Sequence, residues 1–268
     1  MLHNVLADYR QRIPRFRADG LLRFHAAGWA LGWISPDIAD LLHRFDARFA
    51  AQRDGFGLAP ALSQRQLQLA MREAAQMLHE AGLVSGWRDE EYTCCAPDAR
   101  GWPDPQQPLF DLERGVFRRF GLTSRAVHIN GYSGRHLWIG RRASSKAVDP
   151  GRLDNLAAGG LAAGEELAAC AIRELGEEAG IPEIVAARLQ ACGAVRSLRN
   201  EADGTHDEIL YCYDLALPDG LLPANRDGEV AEFLRLDWED AAERLDEFTH
   251  DAGWVTADFL LRHHEQPA

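Results

Sequence analysis

Apolar positions in the first eighty residues recur in two rhythms. Leu2, Val5, Leu6 and Tyr9 follow the three-and-four spacing of an opening helix, and Phe24 to Ile34 (FHAAGWALGWI) reads as strands around a glycine turn. Ser35-Pro36-Asp37 puts an N-cap before a proline at the first helical position, starting a helix that runs to about Phe45. Ser63 and Gln66 form a capping box for a helix ending at Gly82. Pro97–Pro108 is the densest Pro/Gly/Asp stretch, and the chain is expected to break there. The division predicted is an N-terminal α+β domain over 1–107 and a second domain over 108–268.

Beyond the break, Ala126–Tyr132 and His136–Arg142 read as a hairpin turning near Ser133-Gly134. Strands are predicted at Ala191–Ser197, Glu208–Leu215 and Glu229–Leu236, and helices at Asp237–Leu245 and Trp254–His263. Between hairpin and strands lies one helix whose predicted core stripe is Ala168, Ile172, Leu175 and Ala179. Glu174, Glu177 and Glu178 fall beside that stripe, within about 100° of one another around the helix. Like charges at i, i+3 and i+4 repel unless a cation compensates them. Oxygen-only ligands suit hard divalent ions, so Mg²⁺ is the expected cofactor, with Mn²⁺ as the alternative.

Composition narrows the partners. With 29 Lys+Arg against 41 Asp+Glu the formal charge is −12, which disfavours nucleic acid and anionic membrane surfaces. A phosphorylated substrate therefore needs local cations. Arg141, Arg142 and Lys146, just upstream of the acidic helix, are the candidates to grip phosphate oxygens, and strand alternation turns only one of the two arginines to the site. The five cysteines have no metal-type spacing, and the N-terminus has no apolar signal core; a cytoplasmic location is the expectation.

The run Gly159–Ile181, GGLAAGEELAACAIRELGEEAGI, matches G-x5-E-x7-R-E-U-x-E-E-x-G-U (U aliphatic) at every specified position. It resembles the box of the Nudix hydrolases. That resemblance implies an α/β/α sandwich around a mixed sheet, here preceded by a smaller α+β domain, and hydrolysis of an organic diphosphate by metal-assisted attack of water. By the same resemblance Glu174, Glu177 and Glu178 are metal ligands, Glu174 is also a candidate base, and the carbonyl of Ala158 is a further ligand. Arg173 orients the carboxylates and Glu165 ties the loop to the helix. Glu229 is the best candidate for a carboxylate from outside the box, with Asp207 and Glu208 as weaker rivals in a loop over the substrate.

Further stretches, among them VHINGY (127–132), LWIGRRASSKAVDPGRLDNLAAGG (137–160) and DGEVAEFLRL (227–236), resemble the subgroup related to the Nudix part of fungal thiamine pyrophosphokinase. Stand-alone members of that subgroup act on thiamine diphosphate and its oxo and oxy forms, releasing the monophosphate. The pieces at 16–42 and 82–94 resemble the domain that precedes Nudix there. His128, Asn130 and Tyr132, which share one strand face, are the candidates to contact the substrate's rings. The expected partner is thus a small-molecule diphosphate, with a homodimer left open. Alternatives are ADP-ribose or another nucleoside diphosphate derivative as substrate, a non-catalytic binding module, and an isopentenyl diphosphate isomerase-like enzyme. The isomerase needs a cysteine between lead-in and box, and none lies between Lys146 and Gly159.

Overall fold

A computed structural model describes residues 2–264. The chain opens with α1 (Leu2–Arg12), followed by β1 (Leu22–Ala26), β2 (Trp29–Ile34), α2 (Pro36–Phe45), β3 (Phe49–Gln52), β4 (Gly55–Leu58) and α3 (Gln64–Glu80). The predicted caps form: Ser35 Oγ accepts from Ile38 N, and Ser63 and Gln66 close a reciprocal capping box. The four strands make a sheet of order β2-β1-β4-β3, in which β1 and β4 run parallel and the other pairs antiparallel. Its core packs Phe24, Leu42, Phe49, Met71 and Leu78 with Phe120, all fully buried.

The Pro-rich stretch forms a hairpin rather than a linker. β5 (Glu91–Pro97) pairs antiparallel with β6 (Pro103–Glu113), and Asp98 N donates to Trp102 O at 2.7 Å across the turn. Proline is tolerated because the ribbon has only two strands, and its register slips on either side of the Cys95–Pro108 pair. A short helix, α4 (Phe117–Phe120), then leads into the second sheet.

That sheet contains β7 (Thr123–Ser133), β8 (His136–Arg142), β9 (Leu153–Asp154), β10 (Ala157–Gly160), β11 (Gln190–Glu201), β12 (Gly204–Ala216) and β13 (Val230–Asp237). The main path is β11-β12-β7-β8-β13, with β10 on β7 and β9 on β8. Only β7 and β12 pair in parallel, so the sheet is mixed, as expected. Two helices lie on one side, α5 (Leu167–Glu178) and the short α6 (Glu183–Ala186); two more, α7 (Trp238–Glu243) and α8 (His250–His264), lie on the other. Val127, Ile129, Tyr213 and Leu215 face α5, whereas Ala126, Leu210 and Cys212 pack against Val255 of α8. The result is the α/β/α sandwich.

One helix from the start of the chain joins this second core: Leu6 and Tyr9 of α1 pack with Trp238, Leu245 and Phe259. In α5 the buried face is Cys170, Ala171, Leu175 and Glu178. Leu175 and Ala179 are buried as predicted, but Ala168 is exposed. The incoming loop reaches the helix so that Leu167 turns toward the core in its place.

Candidate active site

The site is built where β10 meets α5. β10 pairs antiparallel with β7, Gly159 opposite Val127 and Gly160 opposite Ala126. Neither glycine has room for a side chain. A Cβ on Gly159 would fall inside the Glu174 carboxylate, and one on Gly160 would fall on the Tyr92 hydroxyl. The glycines therefore let a carboxylate of α5 and a tyrosine of β5 close on the backbone from two directions.

Glu178 lies on the buried face of α5, and its Oε2 accepts from Ala158 N at 2.9 Å, so the acid is braced against β10. Arg173 holds the other acids: Nε and Nη2 grip Glu165 at 2.8 and 3.2 Å, and Nη1 donates to Glu174 at 2.8 Å and to Glu177 at 3.0 Å. This fork spans loop and helix, far more than a surface i,i+4 pair.

The acids titrate differently. Burial works against the charge on Glu165, but the hydrogen bonds and charge of Arg173 outweigh it and hold its pKa below the ordinary value. Burial lifts Glu174 to about 7 despite Arg173, with repulsion from Glu177 and Glu229 adding to it. Burial also lifts Glu178 well above the carboxylate range, reinforced by nearby Asp154. In both acids burial is the larger cause, and neighbouring carboxylates add to it.

A second acidic arm comes from the turn before β13. Asp227 Oδ1 accepts from Glu229 N at 2.8 Å, and single oxygens of Glu178, Asp227 and Glu229 all lie within 4.8 Å of one another. Lys146 Nζ forms an ion pair with Glu229, and Ala143 N donates to the Glu229 carbonyl at 2.8 Å, so the lead-in loop and the acidic turn are joined. Arg88 approaches Glu229 from the other side at 4.0 Å. Burial opposes the Glu229 charge, yet Lys146, Arg88 and Arg142 together hold its pKa below normal.

The sequence-predicted residues divide accordingly. Glu178, Ala158, Glu229 and Lys146 converge, Glu174 packs on the neighbouring Gly159, and Arg173 links Glu174 to Glu165 behind them. Glu177 is half-exposed and turned to Arg173 rather than to the Glu178–Asp227–Glu229 group. Of the two arginines, Arg142 is on the site side, paired with Asp154 at 2.8 Å; Arg141 is committed to Glu232 at 2.6 Å and Gly151 O at 3.1 Å.

His128, Asn130 and Tyr132 are not brought to the site. They lie on the α8 face of β7, where His128 Nδ1 meets Asn155 Oδ1 at 2.8 Å, Asn130 donates to Asp214 at 3.1 Å, and Tyr132 packs on Phe259 and His263. Asp207 and Glu208 lie within β12 rather than in a loop. Asp207 forms a bidentate pair with Arg196.

Asp154, Asp227, Arg88 and Tyr92 were not singled out from sequence. The last two arrive from the N-terminal half. Ala163 N of the box loop donates to Glu91 O at 2.8 Å. The loop bearing Arg88 is clamped by buried Glu113, whose carboxylate accepts from the backbone N–H groups of Arg88, Glu90 and Gly115 at 3.1 to 3.2 Å. An acid in a strand followed by Arg-Gly was the available signal, and only the long-range pairing gives it meaning.

Comparison with known proteins bears on this arrangement. A family model described as the NUDIX domain matches residues 122–258, and one described as a domain of unknown function (DUF4743) matches residues 4–124. The chain is 36% identical over 202 residues to "Nudix hydrolase 20, chloroplastic" of Arabidopsis thaliana, covering 72% of this chain and 52% of that protein. It is 31% identical over 212 residues to the uncharacterized protein YJR142W of Saccharomyces cerevisiae, covering 71% of this chain and 60% of that one. The chain spans about half the length of the Arabidopsis relatives it matches. Among solved structures, DR0079 of Deinococcus radiodurans aligns with a TM-score of 0.48 at 18% identity, covering 65% of this chain and 98% of that one.

Proposed function

This chain belongs to the Nudix family, and we propose that it hydrolyses an organic diphosphate, thiamine diphosphate or its oxo and oxy forms, to the monophosphate. The observation that carries the hydrolase assignment is the convergence of Glu178 of the complete box with Asp227 and Glu229, beside Glu174 where it packs on Gly159.

The residues present fit a divalent ion. Three carboxylate oxygens lie within 4.8 Å of one another, and the ammonium of Lys146 already sits on Glu229. When bound, such an ion neutralises diphosphate oxygens and makes water more acidic. We assign Mg²⁺ to this role on the oxygen-only donor set, with Mn²⁺ as the substitute. Glu178, Asp227 and Glu229, whose oxygens cluster, would hold it, with Glu174 and Ala158 adjoining; Glu177, turned to Arg173, would join only on leaving that pair.

The chain's own groups divide the remaining tasks. Glu174, packed against Gly159 at the edge of the acidic cluster, is the group assigned to take the proton of the attacking water. Arg173 fixes the direction of that carboxylate through Nη1. Lys146, Arg142 and Arg88 line the opening as cations for the phosphate oxygens, and Lys146 has to leave Glu229 to serve there. The N-terminal half is thereby a working part of the site, through Arg88 and the Tyr92 contact with Gly160. A domain division at 107/108, within β6, is retained as a proposal for the folding units.

The thiamine assignment rests on the lead-in and N-terminal stretches, because His128, Asn130 and Tyr132 face α8. The isomerase alternative lacks its nucleophile: Cys94 and Cys95 are buried in β5, and burial pushes both thiols up. No helix among the described residues is long and apolar enough to cross a membrane. A cytoplasmic location is proposed from the five free cysteines, although the two Arabidopsis relatives carry "chloroplastic" in their names.

A substrate panel with Mg²⁺ tests the reading. Thiamine diphosphate and oxothiamine diphosphate should release orthophosphate and the monophosphate. Turnover confined to ADP-ribose or nucleoside diphosphate derivatives would reject thiamine and keep the hydrolase.

A further inference from the structure

On the opposite face of the sheet from the box, His206 and Glu208 of β12 project toward α8, on the same side as Leu210 and Cys212, and meet Asp251 of its first turn. His206 is 6% exposed, and its Nε2 is fully buried without a hydrogen bond. That nitrogen stands 3.2 Å from Asp251 Oδ2 and 3.8 Å from Glu208 Oε2, yet its N–H direction meets neither oxygen. The imidazole nitrogen thus stands at ion-pair distance from Asp251 but off the hydrogen-bond direction of either carboxylate, which leaves its donor position open to a cation held between them.

The outer oxygens are already occupied. Asp251 Oδ1 accepts from Ser197 Oγ and from Arg199 Nη1 at 2.8 Å, and Glu208 Oε1 accepts from Ser124 Oγ at 2.8 Å. Each acid is thus held by one oxygen and presents the other to His206, the way supporting hydrogen bonds orient metal ligands. The nearby guanidinium charges are committed as well: Arg199 also pairs with Glu201 at 2.6 Å, and Arg114 with Glu90 at 2.6 Å.

The spacing decides which ligand fits. Zinc bonds to nitrogen and oxygen of about 2.0–2.2 Å give tetrahedral ligand–ligand edges of roughly 3.4 Å, and the two measured distances, 3.2 and 3.8 Å, bracket that edge. All three donor atoms lie within 4.8 Å of one another. One imidazole with two carboxylates favours a first-row transition ion over Mg²⁺ or Ca²⁺, which take oxygen. We propose that His206, Glu208 and Asp251 form a second divalent-metal site, for Zn²⁺ or a similar ion, tying β12 to the start of α8.

The test uses the full chain carrying Glu174→Gln and Glu178→Gln, so that the box acids do not compete. After dialysis against Zn²⁺ and then metal-free buffer, one zinc per chain should remain by atomic emission, and it should raise the melting temperature. Adding His206→Asn should remove at least nine-tenths of the zinc and the thermal shift. Ser124→Ala, which keeps all three ligands, should weaken zinc affinity by roughly 10–100-fold. No retained zinc, or zinc retained equally by His206→Asn, overturns the site. If His206→Asn fails to fold by circular dichroism, Glu208→Gln decides on the same readings.

Discussion

Glu178, the last residue of α5, accepts a hydrogen bond from the backbone N–H of Ala158 at 2.9 Å, locking the acidic helix to the strand that carries Gly159 and Gly160. The bond explains how a carboxylate is held on the core side of a helix. It also separates two roles of that side chain. Glutamine keeps an acceptor oxygen for Ala158 but loses the charge. Glu178→Gln should therefore fold normally and lose more than the roughly 10–100-fold typical of a supporting group. Near-parental turnover with an unchanged melting curve would remove Glu178 from the metal ligands.

Gly160 and Tyr92 make one of the contacts between the two halves of the chain. Gly160→Ala forces a Cβ onto the tyrosine ring and should cost about 1–3 kcal/mol by overpacking. Tyr92→Ala vacates that space, so the double variant should be more stable than the sum of the two singles, measured by urea unfolding. Strict additivity would show that the ring does not meet Gly160.

The raised pKa of Glu174 gives a pH signature to the metal-free protein. Burial lifts the carboxyl from an ordinary 4.5 to about 7. Between those values the folded state binds a proton that the unfolded chain has released, so stability falls as pH rises through the window and levels off above it. Glu174→Gln removes its share of the slope and leaves that of Glu178. In chelator the variant should melt above the parent at about pH 8, by at most about 3 kcal/mol, and close to it near about pH 4. Parallel melting profiles across that range would contradict a buried, neutral Glu174.

Arg88 is the cation that the N-terminal half sends to the site, 4.0 Å from Glu229 and half-exposed. If it grips phosphate, Arg88→Ala should raise KM by about tenfold, the loss of one exposed charge-assisted contact of about 1–1.5 kcal/mol, with a smaller change in kcat. Arg88→Lys should recover part of that loss. An unchanged KM would confine Arg88 to pairing with Glu229.

Local spacing made the box, its helix and the capped helices legible, because each depends on neighbours a few residues away. Arg173 with Glu165, eight residues apart, belongs to that class. The alternation of His128, Asn130 and Tyr132 put them correctly on one face, but periodicity cannot say which layer covers a face; α8, more than a hundred residues later, covers it. Asp154 acquires its place through Arg142 and the β8–β9 pairing, and Arg88 through Glu113. β3 and β4, with four residues each, were too short for a period to register. The strand predicted from Glu208 begins earlier, at Gly204, and the parallel pairing with Thr123 and Ser124 keeps Asp207 and Glu208 in the sheet rather than in a loop over the substrate.

The central claim is that the Glu174–Glu178–Glu229 patch hydrolyses a diphosphate with a divalent ion. Phosphorus NMR of thiamine diphosphate incubated with the full chain tests it most directly. With Mg²⁺ the β-phosphorus signal should give way to orthophosphate and thiamine monophosphate, and excess chelator should stop the conversion. Conversion at the same rate in chelator, or loss with Mg²⁺ of no diphosphate from any substrate in the panel, would contradict it.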